Sequence, residues 1–208
     1  MNATSATVRR NTDEEVGLWV FLATEVLFFS VLLFGYVVTR IHHPQAFALA
    51  SKHTDIVLGS VNTAVLLTSS LTIALSSVSL EMGRRRAALW LLPATLVLGA
   101  TFLALKFLEY AHDIHEQLVP LPWLHFSLSG PDVAGERLFF YMYFVMTGAH
   151  AVHLIVGLAL VAAMIVKVAR NENPDHSCGA VELTGLYWHL VDIVWIFLYP
   201  MLYLISRT

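Results

Sequence analysis

The chain has 208 residues, of which 57% are hydrophobic and only 13% charged, with a formal net charge of -3. That composition, with a mean hydropathy of +0.69, excludes an ordinary water-soluble domain and predicts an integral membrane protein. The small net charge, divided between loops on two sides of a membrane, gives no sign of nucleic-acid binding. Cys178 is the only cysteine, which excludes an internal disulfide and a thiolate metal cluster.

Apolar runs long enough to cross a bilayer, at about 20 residues each, extend from Val16 to Thr39, Ile56 to Leu80, Ala87 to Tyr110, Leu138 to Val166 and Ala180 to Ile205. They are continuous rather than alternating, so the fold class is all-α: an integral membrane bundle of five transmembrane helices. Residues 1–15 form a polar N-terminal segment and residues 16–208 the transmembrane domain. A polar start ahead of so long a span predicts no cleaved signal. Arg9, Arg10, Arg84, Arg85, Arg86, Lys167 and Arg170 fall on the N-terminal side of the spans, against Arg40, Lys52, Arg137 and Arg207 on the other. The positive-inside rule then places the N-terminus in the cytoplasm and the C-terminus outside.

The first span follows Asp13, Glu14 and Glu15, whose charges suit a helix N-terminus, and it carries Trp19 and Tyr36 at its two interfaces. Glu25 lies about 14 Å inside it, by the rise per residue from Val16. Such a carboxyl is either a neutral hydrogen-bonding group or a proton-linked one. The outer loop with His42, His43 and His53 lacks the carboxylate or cysteine support of a metal site. The second span is rich in Ser, Thr and Ala, which predicts a closely packed central helix with Asn62 as an interhelical hydrogen-bonder. Arg84 to Arg86 form a short inner turn suited to anionic lipid.

The third span ends with Lys106, expected to snorkel outward, and with Glu109 and His112. That E-x-x-H spacing occurs in di-iron bundles, but no second such pair is present, so an interfacial polar cluster is the expectation. A proline-rich outer connection from Gln117 to Gly135 follows. His150 and His153 stack on one face of the fourth span; His189 and Asp192 share a face of the fifth. The three histidines are open to two readings, haem ligation between helices or hydrogen bonding within a polar seam, and the second is the better expectation. By rise per residue, Glu25, His153, His189 and Asp192 lie within about 12 to 21 Å of the cytoplasmic side. Their common depth predicts a polar seam in the inner half of the bundle, suited to lipid headgroups, proton movement or a larger partner.

TEVLFF around Glu25, VNTAVLL from Val61 to Leu67, LEY from Leu108 to Tyr110, TGAHAVHLIVG from Thr147 to Gly157 and YWHLVDIVWIFLY from Tyr187 to Tyr199 together resemble subunit III of the haem-copper oxidases. These blocks cover nearly everything after residue 15 in the family's order. The resemblance implies a non-catalytic subunit of a respiratory terminal oxidase that reduces oxygen to water and translocates protons. It would be a multi-pass protein of the bacterial cytoplasmic membrane with a periplasmic C-terminus, packed beside catalytic subunit I and subunit II. It implies no cofactor in this chain, haem and copper in the partners, and bound phospholipid. By correspondence Glu25 is the family's buried carboxylate, and Glu109, His150, His153, His189 and Asp192 are its other intramembrane polar positions. The longer members have seven helices and a lipid-filled cleft made by the first two; this chain matches from the third. Two alternatives share parts of the pattern: an accessory subunit of a nitric oxide reductase, and a stand-alone membrane cytochrome using His150 or His153 with His189.

Overall fold

The computed structural model describes residues 3–120, 131–170 and 174–204, with side chains from Val16 onward and, in the last helix, from Cys178. Its helices are α1 (Ala3–His42), α2 (Pro44–Ala50), α3 (Ile56–Glu81), α4 (Arg85–His115), α5 (Val133–Ala169) and α6 (Pro174–Tyr203), with a 3-10 turn at Ser51–His53. Five of them are long and apolar enough to span a membrane, and the described residues contain no strand. The expected bundle is therefore present. The first helix begins at Ala3, so most of the polar N-terminal segment continues the spanning helix rather than preceding it. Cys178 lies in α6. Most of the proline-rich connection, residues 121–130, lies outside the described residues.

The ends of the helices follow from local chemistry. Asp55 caps α3 by accepting from the Val57 and Leu58 amides at 2.9 and 3.2 Å. Gly83, at φ +70°, closes the turn into α4 with a backbone that side-chain-bearing residues avoid. Arg85 reaches across to α5, donating through Nε to the Val168 carbonyl and through Nη2 to that of Ala169. Those carbonyls belong to the last turn of α5, so one guanidinium ties that end to the start of α4. At the opposite end Asp132 caps α5 through Gly135 N–H at 3.0 Å and pairs with His43 Nδ1 at 2.6 Å. Tyr36 on α1 donates to the Met201 carbonyl of α6, so the C-terminal ends of α1 and α6 meet.

The last helix is the centre of the bundle: 56% of its apolar window is buried, against 11% for α1. Along α6, Trp188, Trp195 and Tyr203 are fully enclosed and form a spine at roughly heptad spacing. Trp188 and Tyr203 enter spaces that a missing side chain leaves open. A Cβ on Gly99 would lie 2.7 Å from the Trp188 ring, one on Gly157 would lie 3.1 Å from it, and one on Gly59 would lie 3.0 Å from Tyr203. Trp188 Nε1 donates to Ser69 Oγ, and Trp195 Nε1 to Thr63 Oγ1. In lipid no hydrophobic force draws helices together, so close packing of this kind holds them. The hydroxyls of α3 mostly bond to their own helix, as Thr63 does to Gly59 and Ser76 to Ile73, and so remain satisfied at close approach. By contrast α1 touches the bundle along a narrow seam of Leu22, Phe29 and Tyr36, seven residues apart, and leaves most of its apolar surface open.

Two predictions follow from this packing. Gly99→Ala lowers stability by about 1 to 3 kcal/mol through overpacking against Trp188, whereas Gly179→Ala, which meets open space, leaves it unchanged; thermal unfolding read by tryptophan fluorescence compares them. The Gly135 amide and the His43 ring hold the Asp132 carboxyl below its usual range. A depressed carboxyl contributes stability above its unfolded pKa and loses it as pH falls through the folded one. Asp132→Ala thus lowers the melting temperature at neutral pH, and its difference from the parent protein shrinks in acid, as a series of melts across pH would record.

Candidate functional site

Three polar arrangements lie within the spanning helices. The first joins α1 to α5, where Glu25 Oε2 stands 2.7 Å from His153 Nε2. The other imidazole nitrogen, Nδ1, lies 2.8 Å from the Ala149 carbonyl one turn back on its own helix. A carbonyl only accepts, so Nδ1 must carry the hydrogen. Nε2 then bonds to Glu25 only if a second proton lies between them, either on the carboxyl or on the imidazole. Among the states of the pair, those with this shared proton satisfy both ring nitrogens. The Tyr187 hydroxyl donates to the His153 carbonyl at 3.0 Å, and the Phe28 and Phe29 rings lie 6.0 and 5.0 Å from the imidazole. Both side chains of the pair remain slightly open, at 18% and 17% exposure.

The second arrangement closes the end where α4 and α6 finish and α5 begins. Lys106 Nζ donates to Glu109 Oε2 at 3.0 Å, to Tyr143 Oη at 2.9 Å and to Tyr203 Oη at 2.5 Å. Both tyrosines in turn donate to Glu109 Oε1, at 2.8 and 2.6 Å. Three ammonium hydrogens and both phenol hydrogens are used, and no group is left over, which is the saturation a buried ion pair requires. Lys106 is 2% exposed, so it does not snorkel. A full set of internal acceptors makes the outward route unnecessary. The neighbouring Tyr110 and Thr147 hydroxyls, 2.5 Å apart, form a separate pair, with Thr147 donating to the Tyr143 backbone carbonyl. Glu109 and His112 separate: the former is buried in the ring, while the latter is exposed and faces Glu116 at 3.1 Å. Asp113 and Glu136 are also buried, and each has one carboxyl oxygen without a protein partner.

The third arrangement joins α3 to α6, with Ser70 Oγ 2.7 Å from His189 Nδ1. Asp192, one turn on, is 3% exposed and lies near the same Ser70 hydroxyl. The residues expected at one depth therefore divide between two sides of α6: Glu25 and His153 meet, whereas His189 and Asp192 lie with α3. His150 joins neither group and is held between Phe102 and Trp195, its ring centre 5.6 and 5.1 Å from theirs. Asn62, expected to bond between helices, is fully buried with no partner at either amide atom. Sequence reasoning missed the roles of Lys106, Tyr143 and Tyr203. The available signal was the three-residue spacing of Lys106 and Glu109 on one helix face, which suits an internal ion pair.

Removing one member of the Lys106–Glu109 pair strands the other, so Lys106→Met destabilises by about 3 to 5 kcal/mol. Adding Glu109→Gln to it costs less than the two single changes together. Thermal melts of the three variants in detergent give the coupling directly.

Comparison with known proteins agrees with the sequence blocks around these groups. The family model for cytochrome c oxidase subunit III matches residues 4–207. The quinol oxidase subunit 3 of Bacillus spizizenii is 26% identical over 191 residues, 92% of this chain and 86% of that protein. The cytochrome c oxidase subunit 3 of Bacillus subtilis is 26% identical over 194 residues, covering 93% and 86% respectively. A probable quinol oxidase subunit 3 of Staphylococcus haemolyticus aligns over 100% of this chain and 98% of its own length at 23% identity. With a single family model spanning almost the whole chain, and relatives matched along most of their length, the protein belongs to the cytochrome c oxidase subunit III family of the haem-copper oxidases.

Proposed function

We propose that this chain, an accessory subunit of a haem-copper terminal oxidase, supports proton uptake by the catalytic subunit through the Glu25–His153 pair. The observation that carries the reading is the locked imidazole: with Nδ1 committed to Ala149, the pair satisfies its geometry by retaining one shared proton. A site of that kind takes up or gives a proton without moving a helix. On the face of α1 turned away from the bundle, Leu27, Val31 and Phe34 are exposed, a surface suited to phospholipid and to a neighbouring membrane subunit. The saturated Lys106–Glu109 ring instead serves stability, because every hydrogen in it already has a place.

In this reading the chain works beside catalytic subunit I and subunit II, which hold the haem and copper, in a bacterial cytoplasmic membrane. The N-terminus is cytoplasmic and the C-terminus periplasmic. Both ring nitrogens of His153 are committed to protein partners, Nε2 to Glu25 and Nδ1 to the Ala149 carbonyl, which supports a redox centre located elsewhere. The oxidase names of the matched relatives favour oxygen reduction over nitric oxide reduction as the chemistry of the complex.

Glu25→Gln tests the proposal because a glutamine amide still donates to His153 Nε2 but holds no transferable proton. The complex is expected to assemble normally and to take up protons several-fold more slowly, most visibly at alkaline pH where protons are scarce. Proton uptake and turnover measured across pH in the purified complex decide it; unchanged rates throughout would overturn the role.

A further inference from the structure

A polar side chain that meets lipid at mid-span must satisfy its polar atoms within the protein. Thr24, Thr68 and Thr101, exposed on α1, α3 and α4, do so on their own helices, donating to the carbonyls of Phe21, Ala64 and Val97. The histidines of the spans differ among themselves. His153 has both ring nitrogens bonded, and His150 is fully enclosed. His189 is only half-buried: its Nδ1 is taken by Ser70, and its Nε2 meets no group among the described residues.

By the rise per residue, His189 lies about 16 Å from the end of its span at Cys178, and Ser70 about 16 Å from the end of its own at Glu81. The hydrocarbon of a bilayer is about 30 Å thick, so this pair sits near its middle. Lipid headgroups do not reach that depth, and acyl chains offer an imidazole nitrogen nothing. The surface beside it is apolar. Ile193 and Ile196, one and two turns on from His189 along its face of α6, are 51% and 44% exposed, and Leu67, one turn before Ser70 on α3, is 47% exposed. Further along the same seam Ser60 and Tyr199 join the two helices at 2.7 Å, so their hydroxyls are already paired. An apolar surface with one unmet polar atom at mid-membrane is what a second helix, carrying one polar side chain at the same depth, would cover.

We propose that this face of α3 and α6 is a subunit interface, seating a transmembrane helix of another oxidase subunit whose hydroxyl or amide side chain hydrogen-bonds to His189 Nε2. A hydroxyl or amide both gives and accepts, so it pairs with either tautomer of the imidazole. The apolar side chains of that helix pack on Leu67, Ile193 and Ile196 and keep lipid from the bond. The interface rests on the reading of this chain as an accessory subunit of an oxidase complex. It is independent of the proton role of Glu25 and His153, which join α1 to α5.

Photo-crosslinking in the assembled complex tests it, with p-benzoylphenylalanine placed at Leu67 or at Ile196 and each adduct identified by mass spectrometry after purification. Both positions are expected to join this chain to another subunit. Adducts with lipid alone, or with a second copy of this chain, would overturn the interface, while a co-purified haem-copper subunit would leave the oxidase reading standing. A chain that purifies without any haem-copper subunit would overturn both. Release of the chain from the complex in detergent tests the bond itself. His189→Phe is expected to raise the released fraction several-fold, and His189→Gln, whose amide reaches toward the position of Nε2, to bring it back near the parent value. Release left unchanged by His189→Phe would overturn the proposal.

Discussion

The constraint on which this structure depends is the entry of the α6 aromatic spine into spaces left by glycine and by small hydroxyl residues. Within a bilayer the lipid tails are as apolar as leucine, so burying more leucine surface between helices gains little. What does gain is shape: large flat rings meeting helices whose backbones come close because no Cβ intervenes. Gly99 and Gly157 receive Trp188, and Gly59 receives Tyr203. The indole N–H groups that such rings bring into the core find Ser69 and Thr63 on α3. Helices α3, α4 and α5 are thereby gathered around α6, while α1, which offers the spine no comparable space, lies at the edge along a single seam.

That arrangement decides what each intramembrane polar group does. Near the end of the spine, Tyr203 joins Tyr143 in bridging Lys106 to Glu109, and five hydrogen bonds close on themselves. Every donor hydrogen of this set is already placed within it, so its contribution is rigidity. At the edge, Glu25 and His153 form a single bond between a peripheral helix and the bundle, and the second imidazole nitrogen is already committed. This pair has one proton to share and partial access to its surroundings. The same residue types, Glu with a basic partner, therefore lie in opposite settings: one pair is saturated within the core, and the other is partly open where packing is thin.

Much of the molecule was legible in the sequence. The five spans were evident because hydrocarbon demands about 20 apolar residues per crossing, a requirement that each segment meets alone. Family membership was legible for a related reason: TEVLFF, TGAHAVHLIVG and YWHLVDIVWIFLY are local strings in a set order. The positions of Glu25, His153 and Asp192 along their spans also followed from distance along a helix.

Which of those residues meet was a different matter, because common depth fixes height in the bundle and leaves rotation undetermined. Glu25 finds His153 but not His189, since α6 stands between the two groups; Asp192 and His189 turn to α3 instead. Lys106 looked like a snorkelling residue near a helix end and became the centre of an ion-pair ring, once Tyr143 and Tyr203 from two other helices enclosed it. Asn62 looked like a link between helices and was left facing no protein partner. Sequence by itself determined the number of spans, their apolar character and the family, because those depend on composition and order along one chain. Tertiary structure alone decided the partners of every buried polar group, because the rotation of each helix is set by how its neighbours pack around the α6 spine.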